Sequence, residues 1–187
     1  MTIDVGTGDG RSVVETAVRN PRTLVLGMDA SAAAMVEVSR RAARPMAKGG
    51  LPNAAFVLAA AEAAPAEFAG RAALVTVRLP WGSLLLGCVG RDATVARGVA
   101  SLVAPGGTLE LLLAPAGRDG IDGVPTELDA IVEGVVEAFR GHGFELEVAR
   151  SATEAEIIAS GSTWAKRLRS QRTPDRTVML VRLVRTL

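Results

Sequence analysis

The run Asp4-Val-Gly-Thr-Gly-Asp-Gly10 places two carboxylates among three glycines, directly after a short apolar stretch. Glycine lets the backbone pass close to a ligand and permits positive φ. Asp29 follows at the end of the next apolar stretch, about 20 residues on, where an acid accepts hydrogen bonds from a ribose diol. Two more segments close further apolar stretches: Ala60-Ala61-Glu62, and Leu79-Pro80-Trp81-Gly82-Ser83. A nucleoside-bearing ligand fits this set. The loop would approach its linking atoms, Asp29 its ribose, Ala61 and Glu62 its base, and Leu79–Ser83 its reacting centre. Phosphate fits poorly, because no Gly-Lys-Ser/Thr follows the glycines and neither Asp4 nor Asp9 would welcome a pyrophosphate. Asp4 suits a cationic ligand end instead, and the amino-acid part of S-adenosylmethionine is such an end. A glycine-rich turn is often only a turn, and an acid after a strand is often only a helix cap. Four such pieces at four successive strand ends favour one shared explanation, a cofactor site.

Strand and helix signals alternate along the chain, as positioning those pieces requires. Thr2 to Val5, Thr23 to Met28, Ala54 to Ala59, Ala72 to Leu79 and Thr108 to Leu113 read as strands. Their continuous apolar character is expected of parallel strands buried on both faces. Arg11 to Arg19 reads as a helix broken by Asn20-Pro21. Ser31 can cap a helix running to Arg44 and stopped by Pro45. Val95 to Val103 reads as a helix closed by Pro105-Gly106-Gly107, and Glu127 to Arg140 as one ended by Gly141-His142-Gly143. Phe144 to Ala149 and Thr177 to Val184 are late strands, with helices between them over Thr153 to Ser160 and Trp164 to Ser170. This order predicts an α/β fold: one Rossmann-like domain over 1–187, with a seven-stranded, mostly parallel sheet and helices on both faces. The Gly- and Pro-rich stretch 114–125 reads as a flexible insertion. In such a sheet, ligands bind beyond the carboxyl ends of the strands.

Composition narrows the function class. With 187 residues the chain is long enough for one domain with a real core. No apolar run is long enough to span a bilayer, and no secretory leader is visible, so a cytoplasmic protein without membrane attachment is expected. One cysteine (Cys88) and one histidine (His142) allow no internal disulfide and argue against a structural zinc site. His142 reads as a helix-end residue. Net charge is only +1, yet the positive charge is clustered. Arg40, Arg41, Arg44 and Lys48 form one group; Lys166, Arg167, Arg172 and Arg176 belong to another. Each could be a solvated helix face, but local basic patches on a near-neutral domain also suit a polyanion.

The two tryptophans, Trp81 and Trp164, stand at loop or helix-start positions with polar or glycine neighbours. Core packing is the common role of a tryptophan. Two rings can also clamp a flipped base, with stacking returning about 1–3 kcal/mol per ring.

At these residues the sequence resembles the Kam/Npm-type 16S rRNA adenine-N1 methyltransferases. The resemblance is carried by the glycine loop with Arg11, by Ala47-Lys-Gly-Gly-Leu-Pro-Asn53, Ala60-Ala-Glu62, Pro80-Trp-Gly-Ser-Leu-Leu85 and Ser162-Thr-Trp-Ala-Lys-Arg-Leu168. It covers nearly the whole chain. It implies a class I S-adenosylmethionine-dependent methyltransferase acting on N1 of adenine 1408 in the decoding site of the 30S subunit, and aminoglycoside resistance. It implies that Asp4, Gly6, Gly8, Asp29, Ala30, Ala61, Glu62, Leu79 and Ser83 contact the cofactor, whose product is S-adenosylhomocysteine. Trp81 and Trp164 would sandwich the adenine, and the Pro80 carbonyl would accept from its exocyclic amine. Arg40, Arg41, Arg44, Lys48, Lys166, Arg167, Arg172 and Arg176 would dock on rRNA, and a monomer is expected. Family members carry an extension, read as a β-hairpin, before the glycine loop; here three residues precede Asp4. The spacing Arg172-Thr-Pro-Asp-Arg176 is also longer than the family's. A related enzyme acting on tRNA or a small molecule, or a cofactor- and RNA-binding homologue with little activity, are the alternatives.

Overall fold

The computed structural model describes residues 1–114, 124–161 and 177–186. Five parallel strands come first: β1 (Thr2–Val5), β2 (Val25–Asp29), β3 (Ala54–Leu58), β4 (Ala72–Arg78) and β5 (Val103–Leu113). Two more follow, β6 (Phe144–Ser151) and β7 (Met179–Arg185), and β7 runs antiparallel to both β5 and β6. The order across the sheet is β3-β2-β1-β4-β5-β7-β6. This is the expected seven-stranded, mostly parallel α/β sheet. Strand order reverses beside β1, so the β1 and β4 ends open onto the crevice where such sheets bind ligands.

The helices are α1 (Arg11–Arg19), α2 (Ala32–Ala42), α3 (Gly82–Cys88), α4 (Ala93–Leu102), α5 (Leu128–Arg140) and α6 (Glu154–Ala159). Helix α1 buries Val13 and Ala17 against Val25, Leu51 and Phe56. On the main core, α4 buries Val95, Val99 and Leu102, and α5 buries Ile131, Val135 and Phe139, against the alternating Leu109, Leu111 and Leu113 of β5. Each such aliphatic side chain contributes about 1.5–3 kcal/mol when withdrawn from water. Phe139 and Phe144 meet edge to face at 5.8 Å and hold the end of α5 against the start of β6. Between them His142 donates its backbone N–H to the Phe139 carbonyl at 3.0 Å, as a helix-end residue does.

Several expected boundaries shift. Strand β2 begins at Val25 rather than Thr23. Helix α2 stops at Ala42, before Arg44, and a 3-10 turn follows over Met46–Lys48. Ser31 holds the N-cap position of α2, but its side chain makes no capping bond. Instead its backbone N–H donates to Asp29 Oδ1 at 2.8 Å. The Pro105-Gly106-Gly107 stop falls inside β5: Val103 already pairs with Ala72, and the register jumps before Thr108 pairs with Leu74. The stop signal is therefore a bulge, with Gly106 in the left-handed region that glycine tolerates. Helix α3 was not expected. The helix expected over Trp164 to Ser170 and most of the 114–125 insertion lie outside the described residues.

Candidate functional site

Strands β1 to β4 end around a cavity of about 330 Å³, within the range typical of small-ligand sites. Each expected strand end contributes to it. Val5 and Gly6 come from β1, Met28, Asp29 and Ala30 from β2, and Ala59 to Glu62 follow β3. Leu79, Pro80, Trp81, Ser83 and Leu84 come from the loop after β4 and the first turn of α3. A larger groove, about 710 Å³, lies between α5 and β6. It gathers no residue of the glycine loop or of the segments that close β2, β3 and β4; the smaller cavity is the one that brings them together.

The glycine loop is shaped by the protein's own hydrogen bonds. Gly6, Gly8 and Gly10 all take positive φ. A side chain on Gly6 would stand 2.5 Å from Leu84, and one on Gly10 would stand 2.5 Å from Phe56. The N–H groups of Gly6 and Thr7 donate to the Met28 carbonyl at 2.8 and 3.2 Å, and that of Gly10 to the Thr7 carbonyl at 3.1 Å. The Gly8 N–H donates to Asp29 Oδ2 at 2.7 Å. Gly8 therefore does not line the cavity; it fixes Asp29, which does. With one oxygen held by Gly8 and the other by Ser31, the Asp29 carboxylate has a set orientation and keeps lone-pair sites for a diol.

Asp4 departs from its expected position. It is buried and lies outside the cavity lining. Its Oδ2 accepts from Ser12 Oγ. Its Oδ1 accepts from Thr76 Oγ1 at 2.7 Å and from Arg78 at 2.8 Å. Thr76 is its register partner on β4, and Arg78 lies two residues on, on the same face. The expected ligand for the cofactor's ammonium is thus already ion-paired within the sheet. Sequence reasoning missed Arg78, Ser12 and Thr76. The one available signal was an arginine closing an otherwise apolar strand.

On the acceptor side, the loop starts with Leu79, a non-glycine residue at φ 50. Trp81 precedes α3 in extended geometry and is half exposed at the cavity mouth. Pro80 and Ser83 flank it in the lining. Trp164, Lys166, Arg167, Arg172 and Arg176 lie outside the described residues. Arg40, Arg41, Arg44 and Lys48 are all exposed on α2 and the turn after it. None of them forms an ion pair among the described residues.

A sequence model of the NpmA family, 16S rRNA (adenine(1408)-N(1))-methyltransferase, matches residues 1–183. The chain belongs to this family. A 16S rRNA (adenine(1408)-N(1))-methyltransferase of Streptoalloteichus tenebrarius is 35% identical over 178 residues, which cover 92% of this chain and 81% of that protein. The solved 16S rRNA methyltransferase KamB superposes with a TM-score of 0.88 at 31% identity, covering 100% of this chain and 87% of KamB. The W203A mutant of the Catenulisporales acidiphilia 16S rRNA (adenine(1408)-N(1))-methyltransferase was solved with its cosubstrate SAM. It matches at a TM-score of 0.86 and 32% identity, covering 100% of this chain and 85% of that one. A methyltransferase of this family needs a methyl donor, and the ends of β1 to β4 are where an open α/β sheet binds a ligand. The lining fits such a group: the oriented Asp29 carboxylate would accept from a ribose diol, and Ala59–Ala61 offer an apolar wall to a flat base.

Proposed function

We propose that this protein transfers a methyl group from S-adenosylmethionine to N1 of adenine 1408 of 16S rRNA in the small ribosomal subunit. The observation that carries the reading is one cavity that joins the oriented Asp29 carboxylate to the half-exposed Trp81. The bound donor would supply an electrophilic methyl carbon on a cationic sulfur. Adenine N1 already carries a lone pair, so no residue has to remove a proton before attack. Asp29 binds the ribose and fixes the register of the donor along the strand ends. Ala61, Glu62 and Ala30 flank the base. Leu79 and Ser83 hold the reacting end beside the acceptor loop. Trp81 stacks on the flipped adenine, with Trp164 as the second ring, and the Pro80 carbonyl accepts from the exocyclic amine. Rate enhancement then rests on in-line positioning and stacking rather than on acid–base groups. The exposed cations Arg40, Arg41, Arg44 and Lys48 grip flanking phosphates, joined by Lys166, Arg167, Arg172 and Arg176.

Primer extension on small subunits incubated with protein and S-adenosylmethionine tests the reading. The expected result is a strong stop at adenine 1408. Methylation of tRNA alone would sink it, as would binding of cofactor and subunits with no stop.

A further inference from the structure

The Asp4–Arg78 pair sits directly behind the cavity wall: Val5 and Leu79, the residues that follow its two members, both line the cavity. The pair's side chains are 3% and 15% exposed, so the guanidinium is the less enclosed of the two. An ionised carboxylate offers about four lone-pair sites. Ser12, Thr76 and Arg78 occupy three of them on Asp4, leaving one. A guanidinium carries five N–H donors, and among the described residues those of Arg78 meet no protein acceptor other than Asp4. The glycine loop cannot fill the role of anion donor. The N–H groups of Gly6, Thr7, Gly8 and Gly10 are all engaged by protein oxygens. A zwitterionic amino-acid group arriving here therefore finds one remaining acceptor site on Asp4 and a set of unengaged donors on Arg78.

We propose that Arg78 is a cofactor-positioning residue, which holds the Asp4 carboxylate in place and donates to the carboxylate of the cofactor's amino-acid end. The inference rests on the methyl-donor reading of the cavity. It makes the ion pair a receptor for a neutral zwitterion. Carboxylate meets Arg78 and ammonium faces the Asp4 end, so the dipole of the ligand runs antiparallel to that of the pair. Arg78 also precedes Leu79 in the acceptor loop, so a ligand held by the guanidinium is registered against Trp81 through three peptide units.

Two ligands separate this role from a purely structural one. S-adenosylhomocysteine has the amino-acid end; 5′-methylthioadenosine has the same nucleoside and sulfur but lacks that end. Calorimetry on wild type, R78M and the double variant D4N/R78M gives the comparison, and the double variant leaves no unpaired buried charge should R78M fail to fold. Expected is at least a tenfold loss of S-adenosylhomocysteine affinity in R78M, or in D4N/R78M in its place, with 5′-methylthioadenosine affinity held within twofold. Retention of S-adenosylhomocysteine affinity within twofold overturns the proposal, as does equal loss of both ligands. If the wild type binds neither ligand, the methyl-donor reading falls and takes this one with it; the first two outcomes remove Arg78's role alone.

Discussion

Gly98, in the middle of α4, controls the wall against which the base of the cofactor would lie. A methyl group built there stands 2.0 Å from the Ala61 carbonyl oxygen, 2.6 Å from its carbon and 3.1 Å from Glu62 Cα. All three are backbone atoms, so no side chain can rotate away. An ordinary non-bonded contact is roughly 3.5 Å. Gly98→Ala must therefore drive α4 and the 3-10 turn Ala61–Ala63 apart by about 1.5 Å. Overpacking of this kind costs about 1–3 kcal/mol, and the better helix propensity of alanine returns about 0.5–1 kcal/mol. A net loss of about 1–2 kcal/mol lowers Tm by roughly 2–8 °C in a domain of this size. Ala61 and Glu62 move with the turn. Loss of about 1.4 kcal/mol of contact with the displaced turn is tenfold in affinity, so S-adenosylhomocysteine affinity should fall by on the order of tenfold. Differential scanning fluorimetry and calorimetry read the two effects. Gly141→Ala is the control: that glycine has φ −64, and its added carbon meets nothing within 4 Å. It should be neutral or stabilising by about 0.4–1 kcal/mol. A G98A protein with wild-type Tm and wild-type cofactor affinity would refute the reasoning.

Trp81→Ala should leave S-adenosylhomocysteine affinity within threefold and lower methylation of the small subunit at least tenfold, because the ring stands at the mouth rather than the floor; loss of cofactor binding in calorimetry would contradict that. The Glu156 carboxyl is lowered from 4.5 to about 2, first by the Arg150 hydrogen bond and then by Thr153. Its folded value lies below its unfolded one, so its stabilising contribution is complete above about pH 4.5 and drains as pH falls toward 2. Urea unfolding across that window should show a shallower acid slope for E156Q than for wild type, and identical slopes would exclude the pair as the cause. Burial pushes the Cys88 thiol up to about 12. Iodoacetamide at pH 8 should therefore label it only in denaturant, and rapid native labelling would show that the α3–α4 layer opens. Replacing Arg44 and Lys48 with alanine should flatten the dependence of log affinity for rRNA on log salt by about 0.7 per lost phosphate contact. An unchanged slope would remove them from the interface.

The parallel half of the sheet was legible because buried strands carry unbroken apolar runs, and α1 matched its expected ends. Helix α3 escaped notice because Pro80, Gly82 and Gly87 make its stretch look like a loop. Gly87 is there for packing: a side chain on it would meet Val95 Cγ1 at 2.4 Å, so glycine is what lets α3 lie against α4. The bulge in β5 was read as a stop because Pro-Gly-Gly has the same signature in both settings. At the site, Asp29 and the Leu79–Ser83 loop could be placed from strand ends alone. The Asp4–Arg78 pair could not, since it joins positions 74 apart through a sheet register that no local pattern encodes.

The position of β7 between β5 and β6 has a consequence for the order in which the protein assembles. Strands β1 to β5 can zip together as each is made, since every one finds a parallel neighbour already in place or arriving within one crossover. Strand β6 cannot follow suit. Among the described residues its only partner in the sheet is β7, which the ribosome delivers later, after α6 and the stretch beyond it. Until then the outer backbone edge of β5 stays open and the hydrophobic face of α5 has β5 but no β6 to rest on. Non-local pairing of this sort is slow, and an unpaired strand edge invites wrong partners. Nascent chains should therefore pass through a half-sheet intermediate whose lifetime is set by the arrival of β7.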